Sequence, residues 1–402
     1  MPPSMTRPGS DSAFWSQILA RDSALGRYQG PELFNTQTVN LNTPQGITLL
    51  PFSLKRPLES IQLILSGRLT VTVAPYTSVG VEAFQNLIQR IFLRGVHTKF
   101  GSQQPWDMSG ASSYIYPLHF QTQAGSMFVS VNGGPLSLVQ NPGAPFASPF
   151  TGQVGTHDFI IVYQLPLTPI LGADQSAKRQ ETNYLFYARD WQDTLTLEMT
   201  FGDASALGDP TGATTAFTAF QSATGNPTIQ THVNYGLLGP FENVAIPGFC
   251  TRNEQLLTTF TAAGTQLQLT NLQRMITQAV IVKSGVIQTA GLTAGVQTFA
   301  SLSDLILNRT QIQVDFNPIR RVDSNFIERS YINRMMGTQP MEGYYPLTFV
   351  ESQNPLTAYR GDSPSIASAT FALYSDVLTN NANQRVTVVQ ERVTGGYYPE
   401  VN

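Results

Sequence analysis

Charge is what this sequence has least of. Only 12% of its 402 residues are Asp, Glu, Lys or Arg, against about 25% in soluble domains at large. Thr, Ser, Gln, Asn, Gly and Pro take their place. Charged side chains are depleted where protein surfaces meet, so this composition suits a protein whose outside is largely spent on contacts with its own copies. A secreted β-rich protein has a similar profile, and that alternative stays open on composition alone. The net charge is −3, and the basic runs go no further than the pairs Lys178-Arg179 and Arg320-Arg321. That argues against a basic face for nucleic acid.

Cysteine is nearly absent. With Cys250 alone, neither an intrachain disulfide framework nor a cysteine-cluster metal site can form, and the thiol is expected as a small buried hydrophobe. The four histidines, His97, His119, His157 and His232, show no H-E-x-x-H spacing, which argues against a zinc enzyme. A G-x-S-x-G elbow and a phosphate-binding glycine loop are also missing, and neither cofactor nor metal is expected. No apolar run approaches the roughly 20 residues of a membrane-spanning helix. Met1 to Ser10 lacks the apolar core of a signal peptide, so synthesis in a cytoplasm is expected. Asp190, Asp193 and Glu198 around Trp191 are what a carbohydrate-active β-protein would use; a solvated loop followed by a polar strand face explains them as well.

What the sequence does have is strands. Thr156 to Leu167 is apolar on both faces: Phe159, Ile161, Tyr163 and Leu165 fall on one side by period-two alternation, Ile160 and Val162 on the other. A strand buried twice belongs to a wall covered by another module or subunit, and Ile160 and Val162 are the candidates for that inter-barrel or inter-subunit contact. Leu195, Leu197, Met199 and Phe201 alternate with Thr194, Thr196, Glu198 and Thr200. Further strands are predicted at 34–41, 47–53, 60–74, 113–122, 127–131, 229–235, 255–261, 266–270, 275–283, 310–316, 344–351, 366–374 and 385–393.

Three stretches read as helical. In 11–25, Phe14, Trp15, Ile18 and Leu19 form the apolar side of a short amphipathic helix on an N-terminal arm. Val81, Phe84, Leu87, Ile88 and Ile91 make a helical stripe ending at Gly95, with Arg90 and Arg94 on it. Asn317 and Pro318 suit a helix start and Gly337 its stop; Arg320, Arg321 and Arg329 lie on this second helix. The Gly/Ala/Thr-rich stretch 203–227 reads as a linker, dividing the chain into an arm (1–30), a first unit (31–202) and a second unit (228–402). Many strands plus one helix, twice over, predict an all-β architecture of two barrels or sandwiches.

In this order and spacing, Phe84 to Gly95, Tyr116-Pro117-Leu118-His119-Phe120, the Tyr163-to-Leu167 strand end, Leu195 to Phe201, Asn317-Pro318 through Gly337 and Gly343-Tyr344-Tyr345-Pro346-Leu347 resemble a known family. It is the double jelly-roll major capsid proteins of tectivirus-type icosahedral viruses with an internal membrane, the lineage that includes adenovirus hexon. The resemblance implies two consecutive eight-stranded jelly-roll barrels, each with a flanking helix, behind a helical arm. It also implies a homotrimer that builds a pseudo-hexagonal capsomer in a virion, made in the host cytoplasm. Partners would be neighbouring capsomers, minor capsid and vertex proteins, and the internal viral membrane, with no direct contact to nucleic acid and no catalytic residues. On that reading Phe14, Trp15, Ile18 and Leu19 meet a neighbour or the membrane, while Arg90, Arg94, Arg320, Arg321 and Arg329 make salt-sensitive contacts between capsomers.

Overall fold

A computed structural model describes the strands named below together with residues 39, 43–44, 86–87, 98–100, 109–110, 112–113, 167, 191, 195, 202–203 and 206. In chain order the strands begin with β1 (Glu32–Thr38), β2 (Gln45–Leu49), β3 (Pro57–Val71), β4 (Tyr76–Thr77), β5 (Ile88–His97), β6 (Gly101–Met108), β7 (Phe128–Val131) and β8 (Ser137–Leu138). Next are β9 (Thr151–Gly152), β10 (Gly155–Pro166), β11 (Phe186–Tyr187), β12 (Thr196–Phe201), β13 (Phe220–Ser222), β14 (Thr228–Tyr235), β15 (Phe249–Thr259) and β16 (Gln266–Gln268). The last are β17 (Ile276–Gln288), β18 (Thr298–Ser301), β19 (Leu307–Val314), β20 (Asn317–Val322), β21 (Tyr344–Thr348), β22 (Tyr359–Arg360), β23 (Phe371–Val377) and β24 (Gln384–Thr394).

These strands make two large sheets and two small ones. The first large sheet runs β1-β14-β3-β10-β7-β8, with β11 and β13 also on β3. The second, ten-stranded, runs β18-β17-β24-β15-β6-β5-β12-β2, with β21 and β22 on β17. A four-stranded sheet, β16-β23-β19-β20, and the pair β4-β9 complete the set. Within the stretch expected as a linker, β13 pairs with β3, and β14 just beyond it pairs with both β1 and β3. The first sheet therefore takes in chain from both sides of residue 227.

The doubly apolar strand is an internal one, antiparallel to β3 on one side and to β7 on the other. Its register sets Tyr163 opposite Leu63 and Leu165 opposite Ile61, and all four are fully shielded from solvent. On the opposite face Val162 is buried too, while Ile160 is 38% exposed. Cover on that outer face thus ends between these two residues. In the second sheet, Leu197 meets Leu93 and Met199 meets Ile91, all buried, as the alternation in β12 requires.

Two expected helices are strand where they are described, from Ile88 and from Asn317, with 81–85 of the first lying outside the described residues. Ile88 to Gly95 lies in β5, and the reason is a bulge: Thr200 pairs with Arg90 but Phe201 with Ile88, leaving Gln89 as an extra residue. The bulge brings Ile88 and Ile91 to the buried side at a spacing of three, which imitates a helical stripe. Gly95 is no helix stop either. A Cβ there would stand 3.0 Å from Leu195 Cα and 3.2 Å from the Trp191 ring, so glycine is what lets β5 pass beneath them. The second expected helix begins as β20, an edge strand in which Pro318 costs no ladder bond; 323–337 lie outside the described residues. Ser113, expected to open a strand, instead closes a helical turn by donating its N–H to Ser109 O at 2.8 Å.

Truncating Leu63 to Ala should cost about 2–5 kcal/mol, the usual range for a buried leucine. Ile160→Thr should stay within about 0.5 kcal/mol. Urea unfolding of the two variants measures both.

Candidate interface between the two halves of the chain

Residues 32–235 and 249–394 meet in one strand pairing among the described residues. Strand β15 runs parallel to β6, with Arg252 beside Trp106 and Asn253 beside Asp107. Two residues of parallel ladder are a weak joint by themselves, so the side chains around it set how the halves sit.

Strand β6 reached this position against its sequence pattern. Gly101 and Pro105 read as loop residues, yet Leu93 pairs with Trp106 and Gly95 with Gln103, which leaves Gln104 and Pro105 on a bulge where a missing N–H does no harm. Beyond it Trp106 is completely buried, its indole N–H donating to Ser113 Oγ at 3.0 Å.

Around the joint three carboxylates meet two guanidinium groups. Arg90 Nε donates to Asp107 Oδ1 on the neighbouring strand, while Arg90 Nη2 donates to the backbone oxygen of Glu254 at 3.0 Å and Nη1 stands 3.7 Å from the Glu254 carboxylate. Glu254 is fixed from the other side, where Ser109 N–H donates to its Oε2 at 2.6 Å. Next along β15, Arg252 Nε donates to Glu391 Oε2 of β24 at 2.9 Å, with both side chains sealed from solvent. The Arg252 guanidinium lies 5.4 Å from the centre of the Trp106 ring, near enough for a cation–π contribution. A pair buried this deeply regains in attraction about what it loses in hydration. It therefore matters less as net stability than as a constraint.

Beside the ion pairs is an aromatic cluster. Phe249, the first residue of β15, packs against His97 at 5.2 Å and Trp191 at 5.0 Å between ring centres. His97 Nδ1 accepts the N–H groups of Lys99 at 3.1 Å and Phe100 at 3.3 Å, which puts the ring proton on Nε2. Burial pushes the adjacent Cys250 thiol well above its ordinary pKa; Arg252 pulls it down and Glu391 pushes it further up. Burial likewise lowers Arg392; with the Asn253 amide turned so that both its ends are satisfied, Arg392 Nη2 donates to the Asn253 side-chain oxygen at 2.7 Å.

On the face opposite Leu93, Leu195 and Leu197 the joint carries a groove of about 570 Å³, lined by Arg94, Thr196 and Glu198 from one half and by Thr251, Asn253 and Arg392 from the other.

No family model matches the sequence, and no curated relative matches it. The fold does have counterparts. The major capsid protein (MCP) of Sulfolobus turreted icosahedral virus (STIV) superimposes with a TM-score of 0.58 at 13% identity, over 92% of this chain and 98% of that one. The PBCV-1 virus capsid gives 0.53 at 11%, over 92% and 96%, and the Faustovirus major capsid protein 0.51 at 7%, over 92% and 91%. The chain has the double jelly-roll capsid-protein fold.

In this double jelly roll the residues singled out from sequence scatter. Arg90 is engaged inside its own chain, at the joint. Arg94 is exposed and donates through Nε and Nη2 to Glu198 Oε1, at 3.0 and 2.6 Å. Arg320 and Arg321 lie on the edge strand β20, while Arg329, Phe14, Trp15, Ile18 and Leu19 lie outside the described residues. Ile160 and Val162 are on β10, in the other large sheet. Trp191, which the alternative carbohydrate-active reading would have set in a sugar cleft, is 4% exposed and turned into the aromatic cluster. Arg252, Glu254 and Glu391 were missed, although Arg252 and Glu254 at a spacing of two in an otherwise uncharged strand were the available signal.

Removing one member of the sealed pair should be far worse than removing both. Glu391→Gln is expected to cost about 3–5 kcal/mol, and Arg252→Met with Glu391→Leu close to nothing, as read by denaturant titration. Gly95→Ala should lose about 1–3 kcal/mol through overpacking against Leu195 and Trp191.

Proposed function

We propose that the chain is a major capsid protein, a structural subunit and not an enzyme, which assembles with its own copies into an icosahedral virus shell. The observation that carries this reading is the extent of the fold match, 92% of this chain against 98% of the STIV MCP. A partial match could reflect one shared barrel. A match that spans both halves and the joint between them requires the same overall construction. The low charge content fits a surface given over to subunit contacts, and many modest contacts suffice because a closed shell multiplies them.

In this reading each chain contributes two barrels, divided between β14 and β15, and three chains make a pseudo-hexagonal capsomer. Residues 1–30 form an arm whose Phe14, Trp15, Ile18 and Leu19 reach a neighbour or an internal membrane. Arg94, Arg320, Arg321 and Arg329 serve contacts between capsomers, where minor capsid and vertex proteins also bind. Arg90 is reassigned to the joint, because its donors are spent on Asp107 and Glu254. A lipid layer beneath the shell would separate it from the genome, in keeping with a net charge of −3.

Size-exclusion chromatography with light scattering should return a trimer or a larger assembly, and a strict monomer at every salt concentration would refute the proposal. Deleting residues 1–30 should leave the same circular dichroism and melting temperature but abolish closed shells in electron micrographs; normal shells from the truncated chain would remove the arm's role.

A further inference from the structure

The ion pairs at the joint are distributed in a particular way. Arg90 and Asp107 both belong to the first half, on the paired strands β5 and β6. Arg252 and Glu391 both belong to the second, on the paired strands β15 and β24. Separating the halves therefore breaks neither pair. Among the described residues the contacts that cross include Arg90 to Glu254, the Ser109 N–H to Glu254, the two-residue ladder, the contacts of Phe249 and Trp106, and the approach of β11 to β15.

This arrangement reduces the usual penalty. Parting two surfaces that share a buried ion pair strands an uncompensated charge on each side, which holds such surfaces shut. Here Arg90 keeps Asp107 and Arg252 keeps Glu391 when the halves part; Glu254 is the carboxylate that gives up its partners across the joint, and water reaching Arg252, Glu391 and Glu254 restores hydration that burial had removed. The two faces of the sheet also differ at this point. On one the aromatic rings are packed together; on the other the groove of about 570 Å³ leaves room between Arg94 and Glu198 on one bank and Asn253 and Arg392 on the other.

We infer that the β6–β15 joint is a hinge, which opens and recloses as a unit while both halves stay folded, the groove supplying the space into which they turn. The inference does not depend on the capsid reading. Within a shell such a hinge would let one chain seat its two barrels at different local curvatures without remaking either core.

Cys250 reports on the hinge. It is the chain's single cysteine, it is buried, and it shares a strand face with Arg252, whose guanidinium is covered by Trp106 across the joint. The experiment labels the full chain with a thiol reagent, Ellman's reagent, across a urea series below the unfolding transition. A hinge predicts labelling whose rate rises with urea much less steeply than global unfolding does, because opening exposes little surface. Glu254→Ala, which removes the charged contact across the joint and leaves both half-contained pairs, should speed native labelling about tenfold or more without lowering the melting temperature in proportion. Labelling that follows the global transition in slope and midpoint, or a variant whose faster labelling is matched by its loss of global stability, overturns the inference. If the variant does not fold, the urea slope of the wild-type chain decides alone.

Discussion

The structure depends on a pairing two residues long. Where Arg252 lies beside Trp106 and Asn253 beside Asp107, strands from both halves of the chain become one ten-stranded sheet. So short a ladder could slip, and its alignment rests on the contacts beside it, while the sealed Arg252–Glu391 pair fixes β15 against β24. Moving β15 by one residue against β24 would turn Arg252 to the other face and leave Glu391 alone in the core. Similarly, Glu254 can accept the Ser109 N–H and meet Arg90 in one alignment of β15 with β6. The charges contribute little net energy, yet they decide which arrangement the apolar surfaces settle into.

Much of the fold was legible because the core strands alternate cleanly. Leu197, Met199 and Phe201 in β12, and Tyr163 and Leu165 in β10, took the positions that period two assigns them. The failures share a cause. Bulges at Gln89 and at Gln104-Pro105 offset the alternation by one residue, so that Ile88 and Ile91 imitated a helix and β6 was not among the predicted strands. Pro318 misled in the same way, since proline opens helices but is equally at home on an edge strand such as β20. The joint was the least legible part. Arg252 and Glu391 are 139 residues apart, and a single charge on a strand reads as a solvated side chain until the fold brings its partner to it.

Scarcity of charge and the burial of charge belong together. With 12% charged residues over the whole chain, setting Arg90, Asp107, Arg252, Glu254, Glu391 and Arg392 at one joint is a heavy concentration. The polar residues that replace charge in the sequence are largely hydroxyl and amide groups, which can be dehydrated against a neighbour at far lower cost than ions. On the proposed reading as a shell subunit, this division of polar groups would serve a chain that buries much of its surface against neighbours.

An electron cryomicroscopy map of the purified, assembled protein, at a resolution that traces strands, tests the central claim most directly. The account predicts six-lobed capsomers made of three chains, each with β6 and β15 parallel inside one subunit and Arg252 against Glu391 beneath Trp106. Particles made of isolated monomers, or a trace in which β15 pairs with some strand other than β6, would contradict it.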